Sequence, residues 1–138
     1  MITLLVLYVS DLDRSRIFYE LLGLDLTEEA HGGGLVHYSA ELPGGLVLEL
    51  YPAGGKVTRT RLGFLVSDRA AVADALRKAG FTVKRQSLVI DPDGNRVQLE
   101  DAEAIPQREA DATATAGPGQ DELEWLDDDG DENVVERP

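Results

Sequence analysis

His31 and His37 are the only histidines in this 138-residue chain, and it contains no cysteine. Thiolate catalysis, disulfides and cysteine metal sites are therefore excluded. The two histidines are six residues apart with Gly32, Gly33 and Gly34 between them. That spacing does not place two ligands on one face of a helix. His31 sits beside the glycine turn and is expected to be exposed. His37 is more informative. Val36, Tyr38, Ala40 and Leu42 alternate as the apolar face of a strand, which leaves His37, Ser39 and Glu41 on the other face. Hairpin register decides whether that face opens on a ligand site, since a slip of one residue reverses it. The glycine run is not followed by Gly-Lys-Ser/Thr and a helix, so it reads as a hairpin turn and not a phosphate cradle. No serine has the Gly-x-Ser-x-Gly context of a hydrolase elbow. Alternation leaves Tyr8, Glu49, Tyr51, Arg61, Arg96, Gln98 and Glu100 on the faces opposite the apolar positions that would cover the helices.

The elements that must position these residues follow from periodicity and turn signals. Residues 2–9 form an apolar, β-branched run expected to be a buried strand. Ser10 or Asp11 offers a helix N-cap, and Asp13 adds negative charge to the first turn. Ile17, Leu21 and Leu22 recur at helical spacing with Phe18 beside them, and Gly23 ends the helix. Strands are expected at 24–28, 35–41 and 46–51, separated by the glycine run and by Pro43-Gly44-Gly45. The second half repeats the plan. A strand at 62–66 leads to a helix capped by Ser67 or Asp68, with Val72, Ala75, Leu76 and Ala79 on its apolar face and Gly80 at its end. Strands follow at 81–84, 87–90 and 96–100, and Asp91-Pro92-Asp93-Gly94-Asn95 is a turn.

The two halves can be placed in register. Val9-Ser10-Asp11 corresponds to Val66-Ser67-Asp68 and Gly23-Leu24 to Gly80-Phe81, both at an offset of 57. Leu48-Glu49-Leu50 corresponds to Val97-Gln98-Leu99 at an offset of 49. One offset shared by strand, cap and helix stop indicates a duplicated βαβββ unit.

The runs LYVSDLDRSRIFYELLGLDL (residues 7–26), LVLELYP (46–52) and DPDGNRVQLED (91–101) resemble the glyoxalase/bleomycin resistance protein/extradiol dioxygenase, or vicinal oxygen chelate, superfamily. The resemblance implies an α+β fold in which two βαβββ modules form a curved mixed sheet with a cleft. Metal-dependent members carry four cleft ligands, His or Gln on the first strand of each module and Glu on the last. The equivalent positions here are Leu4, Glu49, Arg61 and Gln98. Leucine has no donor atom, and arginine stays protonated. One carboxylate and one amide fall short of a divalent-ion site. A metal-free cleft is expected. Had an ion been present, Glu49, Gln98 and His37 would be its ligands.

Charge is unevenly distributed. Residues 1–100 carry 11 Lys and Arg against 13 Asp and Glu, whereas residues 101–138 carry 2 against 13. Neither part has the basic footprint of a nucleic-acid binder. No apolar run approaches the roughly 18 residues of a membrane span, and the start lacks a signal-peptide pattern. A cytoplasmic protein without nucleic-acid or membrane partners is expected. It has a domain at residues 1–101 (modules 2–52 and 60–101) and an acidic, disordered tail at 102–138 with an apolar island around Trp125. The expected function is metal-independent binding or sequestration of a small molecule, as in the bleomycin-resistance branch, without a cofactor. The cleft would be lined by Tyr8, His37, Glu49, Tyr51, Arg61, Arg96 and Gln98, and the resemblance implies a homodimer. Two alternatives stand beside this reading. One is a lyase, isomerase or dioxygenase using a divalent metal. The other is an interaction module acting through the tail.

Overall fold

Alternation gives β1 (Leu4–Val9) two unlike faces, with Leu7 and Val9 buried and Leu4 and Tyr8 about half exposed. Asp11 then stops the strand and starts α1 (Leu12–Leu21), its carboxylate accepting the Arg14 N–H at 3.0 Å. At the far end Gly23 adopts φ +112°, a conformation that closes a helix and suits only glycine well. Three strands complete the first module: β2 (Thr27–Glu29), β3 (His37–Glu41) and β4 (Val47–Pro52). The second module repeats the sequence of elements. It contains β5 (Arg61–Val66), α2 (Arg69–Lys78), β6 (Thr82–Arg85), β7 (Leu88–Ile90) and β8 (Arg96–Asp101). Asp68 caps α2 through the Ala71 N–H at 3.2 Å, and Gly80 closes it at φ +93°.

This computed structural model describes residues 1–102. The acidic tail and the Trp125 island lie outside the described residues.

Each module forms its own four-stranded mixed sheet. The orders are β1-β4-β3-β2 and β5-β8-β7-β6, with the first strand parallel to the last and the remaining pairs antiparallel. The two orders match element for element, as a duplication requires. The expected cleft-bearing sheet is thus made of two sheets. Strand boundaries differ from expectation mainly at β2. Pairing begins at Thr27, because Leu24 and Leu26 turn toward the core before the ladder starts. On α1 the buried residues are Ser15, Phe18 and Tyr19, while Ile17 is exposed. The apolar stripe is therefore rotated about one residue from the one expected.

One core joins both modules. Leu7, Leu48 and Leu50 from the first sheet and Val66, Val89, Val97 and Leu99 from the second are buried together with Phe18 and Leu76 of the helices. Burying each such side chain contributes about 1.5–3 kcal/mol. Phe18 and Phe81 meet edge to face at 5.3 Å across the modules. The Arg14 guanidinium lies 3.8 Å from the Phe81 ring centroid and donates to the Ala79 carbonyl at 3.0 Å. The Tyr19 hydroxyl donates to the buried carboxylate of Asp91 at 2.7 Å. That carboxylate also accepts from the N–H groups of Asp93 and Asn95 and from the Asn95 amide. The expected turn is therefore also a clasp between modules.

Candidate functional site

The face of the first sheet turned away from the helices carries the polar residues. In the β2–β3 ladder Glu29 is paired with His37, and in the β1–β4 ladder Tyr8 is paired with Tyr51. The β3–β4 register, Tyr38 with Leu50 and Ser39 with Glu49, brings His37 beside Tyr51. One row of side chains, Glu29–His37–Tyr51–Tyr8, thus crosses all four strands. The next row contains Ser39, Glu49 and Val6. The hairpin register, which alternation alone left open, places His37 and Glu49 on one face.

His37 is the centre of this row. It is 1% exposed, and its ring stacks on Tyr51 with centroids 4.2 Å apart and planes 7° from parallel. Its Nδ1 faces the Leu35 carbonyl at 3.2 Å. A carbonyl oxygen only accepts, so Nδ1 carries a proton. Nε2 then faces Oε1 of Glu29 at 3.2 Å, Oε2 of Glu49 at 3.9 Å and the Tyr51 hydroxyl at 3.4 Å. Desolvation, followed by the charge of Glu49, raises the Tyr51 phenol above its ordinary range. The phenol therefore remains a donor. His31, exposed as expected, reaches back with Nε2 3.5 Å from the same Glu29 oxygen.

Glu49 lies on this first face, its Oε2 3.9 Å from His37 Nε2. Arg61 belongs to the second sheet, where it is paired with Arg96, and Gln98 is paired with Gly63. Gln98 is nearly buried and donates weakly to Glu100 at 3.4 Å. The first face thus carries acids and tyrosines, and the second carries Arg61 and Arg96 beside Gln98 and Glu100. Tyr8, His37, Glu49 and Tyr51 form one group, and Arg61, Arg96 and Gln98 form another. A separate apolar cavity of about 500 Å³ lies on the core side, between Leu5, Leu24, Leu48, Leu62 and Phe64.

At the four positions to which the resemblance assigns the family's metal ligands, the donor chemistry does not fit. Leu4 contributes no donor, Arg61 contributes a cation, and only Glu49 and Gln98 offer oxygens. Glu29 was not singled out by sequence because its strand was expected to end at residue 28. The signal was nevertheless present: Gly33 is the midpoint between 29 and 37, so a hairpin centred there pairs them.

No match was found among curated proteins. Among solved structures, the trypanothione-dependent glyoxalase I of Leishmania major is similar with a TM-score of 0.63 at 23% identity, covering 83% of this chain and 96% of that one. An integron cassette protein of V. cholerae gives a TM-score of 0.58 at 20% identity, covering 74% and 94%. A glyoxalase/dioxygenase from Nostoc punctiforme gives 0.55 at 19% identity, covering 72% and 88%. At these identities the likeness shows the fold. The family model described as the Glyoxalase/Bleomycin resistance protein/Dioxygenase superfamily matches residues 2–99, nearly all of the described part. With its paired βαβββ modules, the chain belongs to that superfamily.

Proposed function

We propose that the protein binds and sequesters a small organic molecule, and does not turn over a substrate on a metal at the family's central position. The observation that carries this reading is the replacement of both first-strand ligands, by Leu4 and Arg61. The polar groups that remain suit recognition. Tyr8 and Tyr51 lie with ring centroids 6.1 Å apart and offer aromatic surface to a planar or cationic group. Glu49, and Arg61, Arg96 and Gln98 of the other module, supply the few polar contacts that orient a ligand. A homodimer belongs to the same reading. No helix among the described residues is long and apolar enough to cross a membrane.

The deciding comparison is binding against turnover. Calorimetry with bleomycin in the presence of a chelator is expected to show saturable binding, weakened by Tyr51→Ala and by Glu49→Gln. Protein supplied with Ni²⁺ or Zn²⁺ is expected to lack lactoylglutathione lyase and ring-cleaving dioxygenase activity. Metal-dependent turnover abolished by Glu49→Ala would overturn the proposal. It would favour the enzymatic alternative, for which the approach of His37 to Glu49 is the supporting contact.

A further inference from the structure

We infer that Glu29, His31 and His37 form a binding site for one divalent transition-metal ion, at the β2–β3 edge of the first module. The argument begins with the proton on His37. Leu35 holds Nδ1 as the donor, which directs the other nitrogen, Nε2, at the carboxylate of Glu29. A lone pair 3.2 Å from an anionic oxygen is repulsive unless a proton or a metal ion lies between them. His31 Nε2 lies 3.5 Å from the same Glu29 oxygen. One carboxylate and two imidazoles thus converge, the donor set of a transition-metal ion. The carbonyl-anchored tautomer with Nε2 directed inward is the form in which histidine binds metals.

The distances fit an ion. Zinc and its neighbours bind imidazole and carboxylate at about 2.0–2.2 Å, so adjacent donors around them lie about 3.0–3.5 Å apart. Glu29 Oε1 is 3.2 Å from His37 Nε2 and 3.5 Å from His31 Nε2. All three ligating atoms lie within 4.8 Å of one another. The remaining adjustment falls on His31, an exposed side chain followed by Gly32 at φ +53° and Gly33 at φ +80°. These positive φ angles, which suit glycine, turn the chain back so that His31 faces Glu29. His37 is held by its stack on Tyr51, whereas the His31 side chain is exposed.

Ligand chemistry selects the ion. Two imidazoles with a carboxylate suit Zn²⁺, Co²⁺, Ni²⁺ or Fe²⁺, whereas Mg²⁺ and Ca²⁺ take oxygen ligands. Neither Leu4 nor Arg61 takes part, so the site is not the family's four-ligand centre. It also does not depend on the ligand-binding reading above.

The test uses the untagged full-length chain and Co²⁺, whose visible absorption reports its coordination. Uptake of one Co²⁺ per chain with a new visible band is expected, displaced by Zn²⁺ and not by excess Mg²⁺. Both His31→Ala and Glu29→Gln are expected to weaken uptake by at least about 100-fold, beyond the roughly 10–100-fold that residues merely orienting a ligand cost. Glu41→Gln, on the same face but outside the cluster, is expected to leave it unchanged. His31 is exposed, so its replacement does not threaten the fold. Absence of uptake would show that a proton alone serves His37 and would overturn the inference. So would uptake that either ligand substitution changes by less than about 10-fold, which would assign the ion to other acids of the chain.

Discussion

The Tyr19 phenol joins the modules through a single hydrogen bond to a buried carboxylate. Burial, followed by the charge of Asp91, raises this phenol well above its ordinary value. The folded chain therefore keeps a proton that the unfolded chain releases near pH ~10. The resulting stability is fully present below that pH and is lost as pH rises toward the folded value. At neutral pH, Tyr19→Phe is expected to cost about 1.5–3 kcal/mol, the usual loss for a hydrogen bond to a charged group. Above pH ~10 the wild type loses up to about 1.4 kcal/mol per pH unit from this group, and the variant does not. Urea unfolding of both proteins at neutral and alkaline pH should show the difference closing. Parallel curves would mean that the phenol does not sense Asp91. At this scale the sequence was only partly legible. Glu49 and Tyr51 could be assigned to one face by alternation, whereas His37 depended on the hairpin register. Tyr19 and Asp91 could not be joined, because no local pattern links a helix residue to a turn 72 positions later.

Elements were more legible than contacts, because caps and turns are written in adjacent residues. Each helix offered a Ser-Asp pair as its cap, and in both modules the aspartate takes the role. Ser10 is instead drawn to Asp93, its hydroxyl and N–H both donating to that carboxylate. Asp68→Ala is therefore expected to lower stability by about 0.5–2 kcal/mol, the usual effect of losing an N-cap. Ser67→Ala should leave stability nearly unchanged. Thermal or urea unfolding of the two variants separates the roles, and equal losses would count against Asp68 as the cap. The start of β2 was less legible. Residues 24–28 have the composition of a strand, yet Leu24 and Leu26 serve the core and the ladder begins only at Thr27. Composition records burial, and pairing is decided by the partner strand. Here that partner is β3, which pairs with β2 across the glycine hairpin.

Duplication is the property of the molecule that the numbering alone made visible, since both sheets reproduce one strand order. The offset could not reveal that the two outer faces would differ in charge. The first presents Glu29 and Glu49 with tyrosines, and the second presents Arg61 and Arg96. Both faces also leave apolar residues in water. Ile2, Leu4 and Tyr8 alternate along one side of the first strand at 74%, 52% and 48% exposure, and Leu65 on β5 is 53% exposed. A row of that kind on one face differs from apolar residues scattered singly over a surface. A second copy related by a twofold axis can cover it, since each chain then presents its face of acids and tyrosines to the other's face of Arg61 and Arg96. A stable pair of this kind buries about 1,200–2,000 Å² in total. The protein is therefore expected to sediment as a dimer at micromolar concentration. Leu4→Glu and Leu65→Glu should each yield a folded monomer, because both side chains are already half in water within the single chain. Sedimentation velocity with circular dichroism decides the matter. A wild-type monomer, or dimers that persist in both variants, would place the exposed row outside any interface between copies.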